Sequence, residues 1–343
     1  MDDISKLVRR NILNLKPYSC ARSEFKGEAS VFLDANENPM NAPYNRYPDP
    51  LQEELKTKIA KIKNVRTAQI MLGVGSDEPI DLVIRIFCEP KEDNIVAIDP
   101  TYGMYKVCAD INNVEYRTIL LNNDYSLNAE HLLDAVDEHT KVIFLCSPNN
   151  PTGNVLNHDE VKKVLHGFGG IVVLDEAYID FAPETTWLTE LNMYPKLIIL
   201  QTFSKAWGLA SARCGMAFAS EEIIRYFNNV KYPYNINSLT QRFVSEQLDY
   251  ENRKNEWVKL LIEQRNILKK NLSEIPLVEK IYPSDANFLL VKVPDANDTY
   301  NKLVEKGTIV RNRNNISLCL GCLRITIGTE EENKILINAL KQL

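Results

Sequence analysis

The chain has 343 residues, 45% hydrophobic and 25% charged, with a formal net charge of -6. That length predicts two domains, and the balance is that of an ordinary globular protein with no general attraction to nucleic acid or anionic membrane. No apolar run approaches the roughly 18 residues of a spanning helix, and the charged start Met1-Asp-Asp-Ile-Ser-Lys6 lacks the apolar stretch of a secretory signal. The seven cysteines, among them Cys88, Cys108 and Cys146 in apolar segments, read as reduced thiols of a cytoplasmic protein. Cys319-Leu-Gly-Cys322 has no second such pair and no histidine cluster beside it, so no metal site is expected.

Residues 1–30 are polar and weakly periodic, and Lys16-Pro-Tyr-Ser19 breaks any helix. Residues 1–35 are expected to form an arm that packs with the smaller domain. Val31-Phe-Leu33 reads as a short strand running into the polar turn Asp34-Ala-Asn-Glu-Asn-Pro39. Beyond the turn at Arg46-Tyr-Pro-Asp-Pro50, Leu51, Leu55, Ile59 and Ile62 stand at helical spacing. Ile70 to Pro79 gives a strand, two glycines, a cap candidate at Ser76 and a helix with Ile80, Val83, Ile84 and Phe87 on one face. Glycines admit close approach of a ligand, and a helix N-terminus attracts anions. A capped helix after a tight turn has the same pattern.

From there strand, loop and helix alternate. Ile95–Ile98 ends at Asp99-Pro-Thr-Tyr-Gly103, Val142–Leu145 at Cys146-Ser-Pro-Asn-Asn-Pro-Thr-Gly153, Ile171–Leu174 at Asp175-Glu-Ala-Tyr178, and Leu197–Leu200 at Gln201-Thr-Phe-Ser-Lys205. These runs lack clean alternation, as strands covered on both faces do. Helices are predicted between them, for example Ala129 to Val136 and Asp159 to Phe168. The fold class is therefore α/β: a large domain with a mostly parallel, doubly wound sheet between helices, its polar clusters at the carboxyl ends of the strands where such sheets bind ligands. A helix from Glu221 to Tyr232 follows, then a long helical stretch from Ser238 to Leu272 with a join near Trp257. Strands at Ala286–Val291, Thr308–Arg311 and Cys322–Ile327, with helices Ala296–Lys306 and Glu330–Leu343, suit a smaller α+β domain. The expected limits are 36–235 for the large domain and 236–343 for the small one.

Lys205 lies in a small-residue turn just past a strand, flanked by Thr202 and Ser204, with Arg213 eight residues on. Desolvation there disfavours the ammonium and frees the amine to attack an aldehyde, while hydroxyls and an arginine suit a phosphate. Together they point to pyridoxal phosphate held by Lys205 as a Schiff base. The ring nitrogen of that cofactor requires a carboxylate, and Asp175 at a strand end is placed for it. Asn150 and Tyr178 are candidate partners of its phenolic oxygen, and Tyr102 is the candidate for stacking on the ring. Ser76, the backbone of Asp77, Thr202, Ser204 and Arg213 are candidates for the phosphate.

Ser147-Pro-Asn-Asn-Pro-Thr-Gly153, Asp175-Glu-Ala-Tyr178 and Ser204-Lys205 followed by Arg213 resemble the pyridoxal-phosphate-dependent aminotransferases of fold type I. Lys16-Pro-Tyr18, Leu33-Asp-Ala-Asn-Glu-Asn-Pro39, Arg46-Tyr-Pro-Asp-Pro50, Gly75-Ser-Asp-Glu78 and Cys322-Leu-Arg-Ile-Thr326 narrow the resemblance to the histidinol-phosphate aminotransferase family over nearly the whole chain. The resemblance implies a seven-stranded-type large sheet. It also implies transamination of L-histidinol phosphate with 2-oxoglutarate in histidine biosynthesis, by ping-pong use of one site. By the same resemblance Lys205 shuttles the proton, Tyr47 reaches the cofactor phosphate of a neighbouring subunit in a homodimer with shared sites, and Arg324, with Tyr18, Asn36 and Arg311, forms the substrate pocket. Trp207-Gly208 after the lysine departs from the smaller residues that fit there. Threonine-phosphate decarboxylases and aromatic amino acid aminotransferases carry the same cofactor blocks and are the alternative readings.

Overall fold

In the computed structural model, which describes residues 4–25, 27, 29–183 and 185–343, the apolar runs pair into one seven-stranded sheet. Its strands are β1 (Ile70–Val74), β2 (Asn94–Asp99), β3 (Glu115–Leu120), β4 (Thr140–Cys146), β5 (Ile171–Asp175), β6 (Leu197–Thr202) and β7 (Cys214–Phe218). The order is β1-β7-β6-β5-β4-β2-β3. Neighbours run parallel from β3 to β6, while β7 is antiparallel to both β6 and β1. The carboxyl ends of β1, β2, β4, β5 and β6 and the start of β7 therefore meet along one edge.

Side chains alternate between two cores, as the two-residue period of a strand requires. Val142 and Phe144 of β4, Ile171 and Val173 of β5, and Ile198 and Leu200 of β6 face one layer, with the helices Asp77–Phe87, Met104–Ile111 and Glu221–Val230. Ile143, Leu145, Val172, Leu174, Leu197 and Ile199 face the other, with the helices Glu53–Lys63, His158–Gly167 and Ser238–Leu248. Full burial of such a side chain contributes about 1.5–3 kcal/mol, so β4, β5 and β6 are the rigid centre from which the edge loops project.

The second sheet is antiparallel throughout, in the order β10-β11-β9-β8. Its strands are β8 (Lys280–Ile281), β9 (Phe288–Lys292), β10 (Arg311–Asn312) and β11 (Cys322–Thr326). One face packs on Leu268 and Leu272 of the long helix Glu251–Ser273 and on Leu336 and Ile337 of the helix Glu330–Leu340. Hydrogen bonds tie this unit to the first: Asp285 N–H donates to the Gly153 carbonyl at 2.7 Å, Val155 N–H to Asp285 Oδ2 at 3.1 Å, and Lys254 Nζ to Asp180 Oδ1 at 3.0 Å.

Several expectations are corrected. Val31–Leu33 forms no strand: Leu33 is 92% exposed and no strand pairs with the segment. Ile4 of a 3-10 turn, Val8 of the link after it and Ile12 of the short helix Arg10–Leu13 pack into the layer of the helix Asp77–Phe87, and Arg9 bonds Glu89 there. Residues 1–3, 26 and 28 of the arm lie outside the described residues. The long helical stretch breaks at Asp249–Tyr250, not near Trp257, which lies inside the helix Glu251–Ser273. Among the described residues no helix is long and apolar enough to cross a membrane.

Candidate active site

A cavity of about 730 Å³ opens at the shared strand edge, beneath the β10–β11 hairpin. It is lined by Ser76, Asp77, Tyr102, Asn150, Asp175, Tyr178, Thr202, Ser204, Lys205, Arg213, Arg311 and Arg324, the greater part of the residues singled out in the sequence. Tyr18, Asn36 and Tyr47 lie outside it in the single chain. All three are exposed, and Tyr47 stacks on Tyr234 with ring centroids 4.5 Å apart.

Asp175 ends β5 and is 2% exposed. Burial pushes its pKa up to about 6, against the opposing pull of two donors, the Tyr105 hydroxyl on Oδ2 at 2.8 Å and the Ala177 N–H on Oδ1 at 3.1 Å. Tyr105 is itself fully buried and stacks on Phe144 of β4, so the carboxylate is aimed by the core. Lys205 follows β6 by three residues and is half-buried. Burial first, then the Arg324 and Arg213 guanidiniums, lowers its pKa below the ordinary lysine value, while Asp175 and Asp77 pull the other way. Its Nζ stands 5.5 Å from the centre of the Tyr178 ring, which packs edge-on against Phe288 of β9.

The turn between β1 and the helix Asp77–Phe87 makes the opposite wall. Gly75 has φ +68°, and a Cβ there would lie 2.5 Å from Arg213 Nη2. A Cβ on Gly215 would lie 2.4 Å from the Gly75 carbonyl carbon. Only glycine at both positions lets β7 bring Arg213 beside the helix N-terminus. Asp77 there accepts from the Tyr102 hydroxyl at 3.0 Å and from Arg213 at 3.4 Å. Across the floor, the Thr202 hydroxyl donates to Ser204 Oγ at 3.0 Å.

Three features of this cavity fit pyridoxal phosphate. A helix N-terminus, two hydroxyls and Arg213 converge as a dianion requires. A carboxylate whose pKa burial raises stands ready for a further cation that would keep it ionised. A desolvated lysine lines the same cavity. On the open side, Arg324 Nη1 donates to Asn150 Oδ1 and its guanidinium lies 5.3 Å from the Phe288 ring centre, which fixes it over the cavity.

Two members of the site were not singled out in the sequence. Tyr105, the partner of Asp175, lies in the first turn of the helix Met104–Ile111, where its ring packs edge-on against that of Tyr102 with centroids 5.7 Å apart. Arg313 lines the cavity two residues after Arg311, hence on the same side of an extended chain. Trp207 does not line the cavity. It is buried edge-on against Phe203, with Lys254 Nζ 5.5 Å from its ring centre, so it supports the lysine turn from behind.

A family model described as aminotransferase class I and II matches residues 22–340. The histidinol-phosphate aminotransferase of Bacteroides fragilis (strain YCH46) is 59% identical over 343 residues, 100% of this chain and 99% of that protein. Among solved structures, the histidinol-phosphate aminotransferase from Clostridium acetobutylicum aligns with a TM-score of 0.81 at 23% identity, over 87% of this chain and 90% of that one. The enzyme of the same name from Sinorhizobium meliloti, in complex with pyridoxal-5'-phosphate, aligns with a TM-score of 0.80 at 22% identity, over 87% and 82%. The two structures speak for the fold alone. With the family model over most of its length and a relative of 59% identity over all of it, the chain belongs to the class I and II aminotransferases, among the histidinol-phosphate aminotransferases.

Proposed function

We propose that the protein is a pyridoxal-phosphate-dependent transaminase that converts L-histidinol phosphate and 2-oxoglutarate to imidazole acetol phosphate and L-glutamate in histidine biosynthesis. The observation that carries this reading is the placing of Lys205 and Asp175 in one cavity beneath Arg324, in a chain 59% identical throughout to a protein named for that reaction. Bound pyridoxal phosphate supplies an electron sink for the pair left behind when the substrate loses its α-proton.

The chain's own residues do the rest. Lys205 Nζ, with its pKa lowered by burial, would hold the cofactor at its aldehyde carbon. As a free amine the same nitrogen would carry the proton off the substrate Cα. Asp175, held by Tyr105 and Ala177, would pair with the ring nitrogen and keep it protonated. Asn150 and Tyr178 bond the phenolic oxygen and Tyr102 covers the ring. Ser76, the Asp77 N–H, Thr202, Ser204 and Arg213 hold the phosphate. Arg324 and Arg311 take the substrate anion in turn, since one site serves both half-reactions. Tyr47, outside the cavity of its own chain, serves a second copy in a cytoplasmic homodimer, and Tyr18 and Asn36 complete the pocket. Residues 36–235 and 236–343 are the large and small domains, with the arm before them.

Absorbance of the purified protein tests the reading. L-Histidinol phosphate added without a keto acid is expected to bleach the visible band of the bound cofactor, and 2-oxoglutarate to restore it. A band that ignores histidinol phosphate but responds to another amine sinks the substrate assignment. No band after addition of pyridoxal phosphate sinks the cofactor.

A further inference from the structure

The β10–β11 hairpin carries more positive charge than one carboxylate needs. Arg311 and Arg324 are cross-strand partners, and the Arg313 N–H donates to the Cys322 carbonyl at 2.9 Å, continuing the pairing by two residues. Arg313 therefore falls on the same side as Arg311, and all three arginines line the cavity. They are not equivalent. Arg324 gives one Nη1 N–H to Asn150 and packs on Phe288, and Arg311 is exposed. Arg313 is part-buried, with an Nε sealed from water and without a hydrogen-bond partner. Among the described residues no carboxylate forms an ion pair with any of the three. Burial, with Arg324 and Arg311 as like-charged neighbours, lowers the pKa of Arg313 to about 10. A part-buried guanidinium that lines the cavity without a counter-charge is built to receive an anion.

We infer that Arg313 is a specificity-determining residue that reads the phosphate of the amino donor and distinguishes it from a carboxylate. The inference rests on the transaminase reading. A single guanidinium fork satisfies two oxygens, which is the whole of a carboxylate. A phosphomonoester has three terminal oxygens and carries about -1.5 to -2 at neutral pH. Arg324 grips two oxygens of either anion. Arg313 takes the third oxygen and the extra charge, which glutamate does not present. One site thus accepts both substrates in turn yet holds the phosphorylated one more tightly.

The experiment is the two amino-donor half-reactions, followed by cofactor absorbance in the wild type, Arg313→Gln and Arg313→Lys. In Arg313→Gln the half-saturating concentration of L-histidinol phosphate is expected to rise roughly tenfold or more, and that of glutamate by no more than about threefold. The preference for L-histidinol phosphate over L-histidinol falls with it. Arg313→Lys, which keeps the charge without the fork, is expected to fall between. Equal rises for both donors, or no rise for either, overturn the inference. If Arg313→Gln does not fold or lacks the cofactor band, the same ratio in Arg313→Lys decides. A wild type that ignores histidinol phosphate overturns the transaminase reading itself, a result separate from any property of the variants.

Discussion

The carboxyl edge of the large sheet and the segment from Lys16 to Pro50 organise polar groups in opposite ways. At the sheet edge the apolar core comes first. Asp175 is carried to its place by β5, with fully buried neighbours on both strand faces, and the pull of Lys205 on its charge is outweighed by burial. In the segment, charge comes first. Glu37 is 3% exposed at its side chain, where it binds Arg22 at 2.8 Å, Arg46, and the Tyr47 N–H at 2.7 Å. Burial alone would raise its pKa, yet those donors outweigh it and hold Glu37 below the ordinary carboxylate value. Around that hub the apolar side chains of Tyr18, Val31, Leu33, Met40 and Tyr44 face outward. A region built to receive a charged ligand leaves charge unmatched, whereas a region ordered by charge leaves apolar surface unmatched.

The largest effect belongs to the sheet edge. Lys205→Ala is expected to lower the rate of the histidinol phosphate half-reaction by at least about 10³-fold, since both nucleophile and proton carrier are lost. Its thermal midpoint should stay within about 2 °C of the wild type, because a half-buried, desolvated cation adds little to the core. Single-turnover absorbance and calorimetry check the pair of outcomes. A comparable loss of stability would mean that Lys205 props up the edge and that the rate says nothing of chemistry.

The same contrast explains what the sequence disclosed. β4, β5 and β6 were legible because each is a continuous apolar run buried on both faces. The polar clusters at their ends followed directly. β3 was not legible: Glu115-Tyr-Arg-Thr-Ile-Leu120 pairs on one side only and keeps polar residues at its free edge. Nor was β7, since Cys214-Gly-Met-Ala-Phe218 spends a strand position on the glycine that lets Gly75 approach. The segment around Glu37 has no period at all. Its order depends on ion pairs between residues 9 to 15 positions apart in the chain, so Tyr18, Asn36 and Tyr47 were read by resemblance alone. Arg313 was passed over because its meaning depends on the absence of a partner, which only the packed structure reveals.

A smaller effect sharpens the sheet side of the comparison. Asp175 titrates near 6 in the cofactor-free protein, above the ordinary carboxylate value of about 4. The protonated form thus contributes stability below about pH 4, and that contribution is lost as pH rises through about 6. Pairing with a ring N–H needs the ionised form, so the affinity for pyridoxal phosphate should rise with pH through the same window and then level off. Tyr105→Phe removes the hydroxyl that favours the carboxylate. The rise should then move to higher pH, with affinity at neutral pH reduced roughly threefold to tenfold. Absorbance titrations of both proteins between pH 5 and 8 decide it, and superimposable profiles would show that Tyr105 only fills space.

The smallest effect should come from the segment. Glu37→Gln keeps an acceptor for the Tyr47 N–H but removes the charge that gathers Arg22 and Arg46. Amide exchange over residues 29–48 is expected to quicken several-fold, while the main thermal transition moves by less than about 2 °C. In the wild type the same loss of protection, measured against the intrinsic exchange rate at each pH, should appear on acidification. The Glu37 pKa is depressed, so its contribution is present above the unfolded carboxylate value and is lost as pH falls through the folded one. That is the opposite direction to Asp175, which gives the comparison a single decisive form. If acid loosens the segment first and leaves the sheet edge intact, charge orders the one and the core orders the other. If both yield together, or if Glu37→Gln shifts the main transition, the segment belongs to the same cooperative unit as the sheet. Its exposed apolar side chains would then need another explanation than an ordering that depends on charge.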